Sequence, residues 1–236
     1  MCRIGRGNLC ANWKAIGDTV DGAFAEFVKV PAENAYALPD ELDFRTGALV
    51  EPLSCAVRGM HRLQVQPGES ALVIGAGTMG LLLQQLILRA GASRVATVDT
   101  NEGKLPLAQE MGADAVATGT EDLGRFDVAV DATGAAPAIE SAFDALKRGG
   151  RLMVFGVAHG DAKISLSPFR IYNDEIIVLG SMAVLHSYGP ALELMAAGAI
   201  DARSMLTHDF PLDGFADALE NVRAGRGVKS QVLPGA

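Results

Sequence analysis

Gly75-Ala76-Gly77-Thr78-Met79-Gly80 is the most constraining stretch of this chain. It reads G-x-G-x-x-G, a pattern that carries little weight alone and much more between a strand and a helix. Ser70-Ala71-Leu72-Val73-Ile74, just before it, is the near-continuous apolar run of a strand buried on both faces. Met79 to Ala90, just after it, follows helical spacing. In such a unit the first glycine makes the tight turn and the second lets the backbone approach a diphosphate. The third permits close helix–strand packing, and the helix N-terminus offers free N–H groups to the anion. Asp99 ends the next apolar strand, nineteen residues after Gly80. A carboxylate there accepts hydrogen bonds from the ribose hydroxyls of an adenine dinucleotide. A 2′-phosphate would meet a like charge, and Thr100 and Asn101 supply no cation, which favours NAD over NADP. The competing readings are a ligand-free glycine turn and an Asp that only caps the next helix.

A second buried strand is expected at Arg94 to Val98, and further strands at Ala113 to Ala117, Phe126 to Val130, Arg151 to Phe155 and Glu175 to Leu179. Helices are expected at Lys104 to Met111, Ala136 to Leu146 and from Pro190. This alternation predicts an α/β fold, a doubly wound parallel (Rossmann) sheet with helices on both faces. Residues 206–236 read strand, helix, strand. Phe44 to Leu63 has helical spacing, and Pro52 divides it into two helices or a kinked one. Gly17 to Tyr36 reads as short extended pieces around Phe24, Phe27, Val28 and Val30.

Composition narrows the function classes. The formal net charge of −8 argues against nucleic acid as a partner, since phosphate backbones need a basic face. No apolar run approaches the roughly 20 residues of a membrane span. Three cysteines give no disulfide framework, and the N-terminus has no apolar signal core, so a cytoplasmic location is expected.

Cys2 and Cys10 are too few for a tetrahedral zinc site and read alone as two free thiols. Glu51 and Cys55 stand one helical turn apart and present either two zinc ligands or a packed cysteine beside a surface acid. No two of the four histidines have ligand spacing; His159 and His186 lie near expected strand ends, where a ligand crevice forms. Methyltransferases also pair a glycine loop with a strand-end acid. Their loop carries an acidic residue just before the first glycine, whereas Val73 and Ile74 stand there.

Together these pieces resemble the medium-chain dehydrogenase/reductase superfamily, specifically the zinc-type alcohol dehydrogenases of the polyol and threonine dehydrogenase branch. Cys2 to Cys10 resembles the end of that family's structural zinc lobe, and Asp21 to Phe27 the strand that follows it. Glu51 to Ala56 resembles the junction of the catalytic and cofactor domains. Asp131-Ala132-Thr133-Gly134 and Gly225 to Lys229 match its later motifs. The resemblance implies three parts: residues 1–62 as a remnant of a GroES-like catalytic β domain, 63–205 as the NAD-binding domain, and 206–236 as a return segment packing on the remnant. It implies that Lys104 lies beside the adenosine ribose. Thr133, Gly156, Val157, Ser181 and Met182 would line the nicotinamide side. Glu51 would be the catalytic residue, with Glu51, Cys55, Cys2 and Cys10 as zinc ligands. Gly75, Gly77, Thr78, Met79 and Gly80 would hold the cofactor diphosphate.

The implied reaction is hydride transfer from a secondary alcohol or polyol to NAD. Ile164-Ser165-Leu166 resembles a subunit-pairing segment, implying a homodimer or homotetramer. Family members also carry further cysteines and a His-Glu pair upstream of the position of Cys2. The chain therefore reads as a member lacking a large N-terminal part. In that case it binds NAD weakly with incomplete zinc sites, as a non-catalytic NAD(H)-binding module.

Overall fold

The computed structural model describes residues 1–235; Ala236, the last residue of the expected return segment, lies outside the described residues. The elements, in chain order, begin with helices α1 (Phe44–Gly47) and α2 (Val50–Leu63). Then come β1 (Ser70–Ile74), α3 (Thr78–Arg89), β2 (Arg94–Val98), α4 (Leu105–Glu110) and β3 (Ala115–Ala117). The second half adds β4 (Phe126–Asp131), α5 (Ala136–Asp144), β5 (Leu146–Val154), α6 (Pro168–Asn173) and β6 (Ile177–Gly180). The chain closes with α7 (Tyr188–Ala196), β7 (Leu206–Pro211), α8 (Phe215–Arg223) and β8 (Lys229–Leu233).

The first six strands form one parallel sheet in the order β3-β2-β1-β4-β5-β6, the doubly wound arrangement. Side chains alternate across each strand, and this alternation divides the core in two. Ala71, Val73, Val95, Val128, Val130 and Met153 face the cluster that contains α2, α3 and α7. Leu72, Ile74, Ala96, Ala129 and Leu152 face the cluster built on Ile139, Ala142 and Phe143 of α5. Gln84, which interrupts the apolar run of α3, is fully buried and satisfied. Its Oε1 accepts from the Thr97 hydroxyl at 2.7 Å and its Nε2 donates to the Ala108 carbonyl at 2.8 Å, tying α3 to β2 and α4.

Two expectations are corrected, and one helix is added. No strand forms around Phe24 and Phe27; residues 23–26 bend, and a 3₁₀ turn occupies Ala32–Asn34. A strand needs a partner for its ladder, and Phe24 instead packs its ring on Phe215 at 4.7 Å. β6 starts at Ile177 because Glu175 has φ 51°, which ends extended backbone. The short helix α6 was not anticipated; Ser167 caps it by accepting from the Arg170 N–H. The helical stretch forms two helices as expected, but the break falls at Ala48 and Leu49; Pro52 lies in the first turn of α2, where its missing N–H is harmless. β7 and β8 pair in parallel, and Gln231 donates to the Arg45 carbonyl, joining the last segment to α1.

Candidate functional site

The glycine loop leaves β1 at the centre of the sheet, beside the point where strand order reverses. Gly75 has φ 108°, and a Cβ there would press on Thr133 Cγ2 at 2.9 Å. At Gly80 a Cβ would collide with the Gly75 carbonyl, so the first turn of α3 can sit against β1 only with glycine there. A Cβ on Gly77 would meet nothing within 4 Å and would project into open space. The loop thus presents its backbone outward at the N-terminus of a twelve-residue helix, as a diphosphate requires. The donor set and the free approach at Gly77 fit a dinucleotide. Met79 packs its side chain on the core, and the Thr78 hydroxyl donates to the Val228 carbonyl at 3.0 Å, so both offer the loop their backbone.

Asp99 sits beside this loop and does more than the sequence suggested. Its Oδ2 accepts from the Ala76 N–H and its Oδ1 from the Asn101 N–H, both at 2.8 Å. The carboxylate therefore pins the loop while keeping lone pairs for a ribose. Lys104 closes the 3₁₀ turn that follows, which Asn101 caps.

Across the sheet, β4 and β5 end in interlocked loops. Asp131 is fully buried and accepts from the Thr133 N–H, the Thr133 hydroxyl (2.6 Å) and the Gly134 N–H. A Cβ on Gly156 would overlap the Gly134 backbone, so the two loops touch main chain to main chain. Asp131 is the member of this turn whose role sequence reading missed; an Asp two residues before a Thr-Gly pair is the local signal for such a turn. Val157 is 95% exposed at the loop tip. Ser181 and Met182 follow β6, and the buried Asn8 donates from Nδ2 to the Met182 carbonyl at 2.8 Å. Ala183 and His186, in the same loop, hold left-handed φ values of 45° and 54°, a strain that gathers at functional loops. His159 lies in the loop after β5, so both histidines stand at carboxyl ends of strands.

Glu51 is exposed at the start of α2, and its Oε1 accepts from the Cys55 thiol at 3.4 Å. Burial, then the charge of Glu51, push the Cys55 thiol up to about 12, so it is held as S–H. The neighbouring Cys10 raises the Cys2 thiol, while the Asn12 backbone N–H, then the Cys2 side chain, lower the Cys10 thiol. Among the described residues no three His, Cys, Asp or Glu side chains gather in a metal-holding group. A zinc centre takes three or four protein ligands, so these two pairs do not fit the metal as they stand.

The family model described as zinc-binding dehydrogenase matches residues 78–197. The chain is 32% identical to D-arabinitol dehydrogenase 1 of Uromyces fabae over 251 residues, covering 99% of this chain and 71% of that protein. It is 36% identical to D-altritol 5-dehydrogenase of Agrobacterium fabrum over 220 residues, covering 89% of this chain and 65% of that one. It is also similar to a solved structure reported as a zinc-binding dehydrogenase of Sinorhizobium meliloti bound to NADP. The TM-score is 0.93 at 34% identity, over 99% of this chain and 72% of that one.

Proposed function

Because this chain belongs to the zinc-binding dehydrogenase family, we propose that it is an NAD-dependent dehydrogenase acting on a secondary alcohol or polyol. The observation that carries the reading is the outward-facing glycine loop pinned by Asp99 at the switch point of the sheet. The relatives' names supply the substrate class, since they act on arabinitol and altritol. When bound, a nicotinamide cofactor accepts the hydride removed from the alcohol carbon.

The chain's own residues do the holding. Backbone N–H groups at Gly77, Thr78, Met79 and Gly80 bind the diphosphate. Asp99 accepts from the ribose hydroxyls, with Lys104 beside that ribose. Thr133, Gly156, Val157, Ser181 and Met182 form the wall on the nicotinamide side. Glu51 is the residue we assign to the reacting alcohol, in a 1–62 segment that packs on 206–236 beside the 63–205 cofactor domain. A second reading, an NAD(H)-binding module without turnover, is favoured by one observation: among the described residues the Cys2–Cys10 and Glu51–Cys55 pairs gather no third ligand.

NADH formation from a panel of polyols, run with and without added zinc, separates the two. Turnover supports the enzyme, and NADH binding without turnover supports the module. The NADP in the Sinorhizobium meliloti structure makes NADPH the necessary comparison ligand.

A further inference from the structure

A cleft of about 380 Å³ opens where the ends of β5 and β6 meet the second half of α2 and the turn carrying Asn8. Its charge is opposite to that of the whole chain, which carries −8. Arg6, Arg58 and Arg62 line it, and no Asp or Glu does. Among the described residues none of these arginines is in an ion pair. Three unopposed guanidinium groups in one cleft form a receptor for anionic oxygen.

Buried polar atoms sharpen the chemistry. Asn8 is 8% exposed, and its Oδ1 is buried without a partner. Arg58 Nε and Ser181 Oγ are also buried and unpartnered. Buried donors and acceptors are normally satisfied, and each exception calls for a partner. Arg58 Nε and the Ser181 hydroxyl can donate to an anion, and Asn8 Oδ1 can accept from a hydroxyl.

We propose that this cleft holds the anionic head group, a carboxylate or a phosphate, of a hydroxylated substrate. The inference rests on the dehydrogenase reading, because Gly156, Val157, Ser181 and Met182 belong both to the cleft and to the proposed nicotinamide wall. The substrate class is then a sugar acid or a polyol phosphate rather than a neutral polyol.

Calorimetric titration of the full chain at constant ionic strength, with and without NADH, tests it using D-gluconate, D-sorbitol 6-phosphate and D-sorbitol. At least one anion is expected to bind one to one, about tenfold or more tighter than D-sorbitol, as expected for added charged hydrogen bonds. The preferred anion identifies the head group. Arg58→Gln and Ser181→Ala are expected to weaken that binding by about tenfold. Arg62→Gln, on an exposed residue, should weaken it in a chain with unchanged circular dichroism, which keeps the test decisive if Arg58→Gln does not fold. Anions binding no better than D-sorbitol would overturn the proposal. So would anion binding insensitive to Arg62→Gln and Ser181→Ala, or displaced by NADH. These are binding measurements, so failure of alcohol oxidation with anion binding intact counts against the dehydrogenase reading alone.

Discussion

Gly77 and Gly80 look equivalent in a motif, yet their surroundings assign them opposite sensitivities. A methyl on Gly80 has nowhere to go but into the Gly75 carbonyl, so Gly80→Ala should cost about 1–3 kcal/mol or more of stability, as overpacking does. A methyl on Gly77 stands clear of the chain and occupies the approach of the diphosphate. Gly77→Ala should leave the urea midpoint unchanged and weaken NADH binding by about tenfold, some 1.4 kcal/mol. Equal loss of stability in both variants would contradict this assignment. Asp99 calls for a gentler substitution, because it also fastens the loop through the Ala76 N–H. Asp99→Asn keeps an acceptor for that N–H and removes the charge. NADH should then bind about ten- to a hundredfold more weakly, the usual worth of a charged hydrogen bond. Its advantage over NADPH should narrow in fluorescence titration. NADPH binding as tightly as NADH to the unmodified chain would remove Asp99 from that role.

At the scale of elements, β1 and β4 are clasped at their starting ends by Asp127. Its Oδ2 accepts from the Ser70 N–H, the Ser70 hydroxyl and Lys147 Nζ. Burial alone would raise this carboxyl; the bonds from Ser70 and Lys147 outweigh it and hold it at about 2. An unfolded Asp titrates near 3.9. The folded value is depressed, so the stabilisation is fully present above about pH 4 and is lost as pH falls towards about 2. Asp127→Asn should flatten the acid limb of stability across that window, measured as urea midpoints between pH 5 and pH 2.5. An unchanged slope would show that other carboxylates carry the acid response. The central strands of this sheet were legible in the sequence because a parallel strand covered on both faces is nearly continuously apolar, as Ala71 to Ile74 and, but for Thr97, Val95 to Val98 are. The stretch around Phe24 and Phe27 has the same β-prone residues. No ladder partner faces it among the described residues, so composition alone misled there.

For the whole molecule, β6 is an open edge of the main sheet. Ile177 is 53% exposed and Val178 is 41% exposed, and an exposed apolar edge strand is a template for pairing. We expect two copies to pair across this edge and the Ile164–Leu166 segment into a dimer, or a tetramer of dimers. Light scattering at micromolar concentration checks it, and a monomer would count against it. No helix among the described residues is long and apolar enough to cross a membrane.

Local pattern sufficed for the strand–glycine–helix unit, the strand order class and the position of Asp99, since these follow from hydrophobic period and turn chemistry within about thirty residues. Contacts between distant residues settled the rest. Asp131 became the keystone of the β4 turn once β4 was buried, and Thr78 became a tie to Val228, 150 positions away. The four metal-ligand candidates remained two pairs because ligand convergence depends on how segments pack, which spacing along the chain does not encode. The arginine cleft has the same origin: Arg6, Arg58 and Ser181 share no sequence pattern, and only the packing of α2 and of the turn carrying Asn8 against the ends of β5 and β6 puts them around one space.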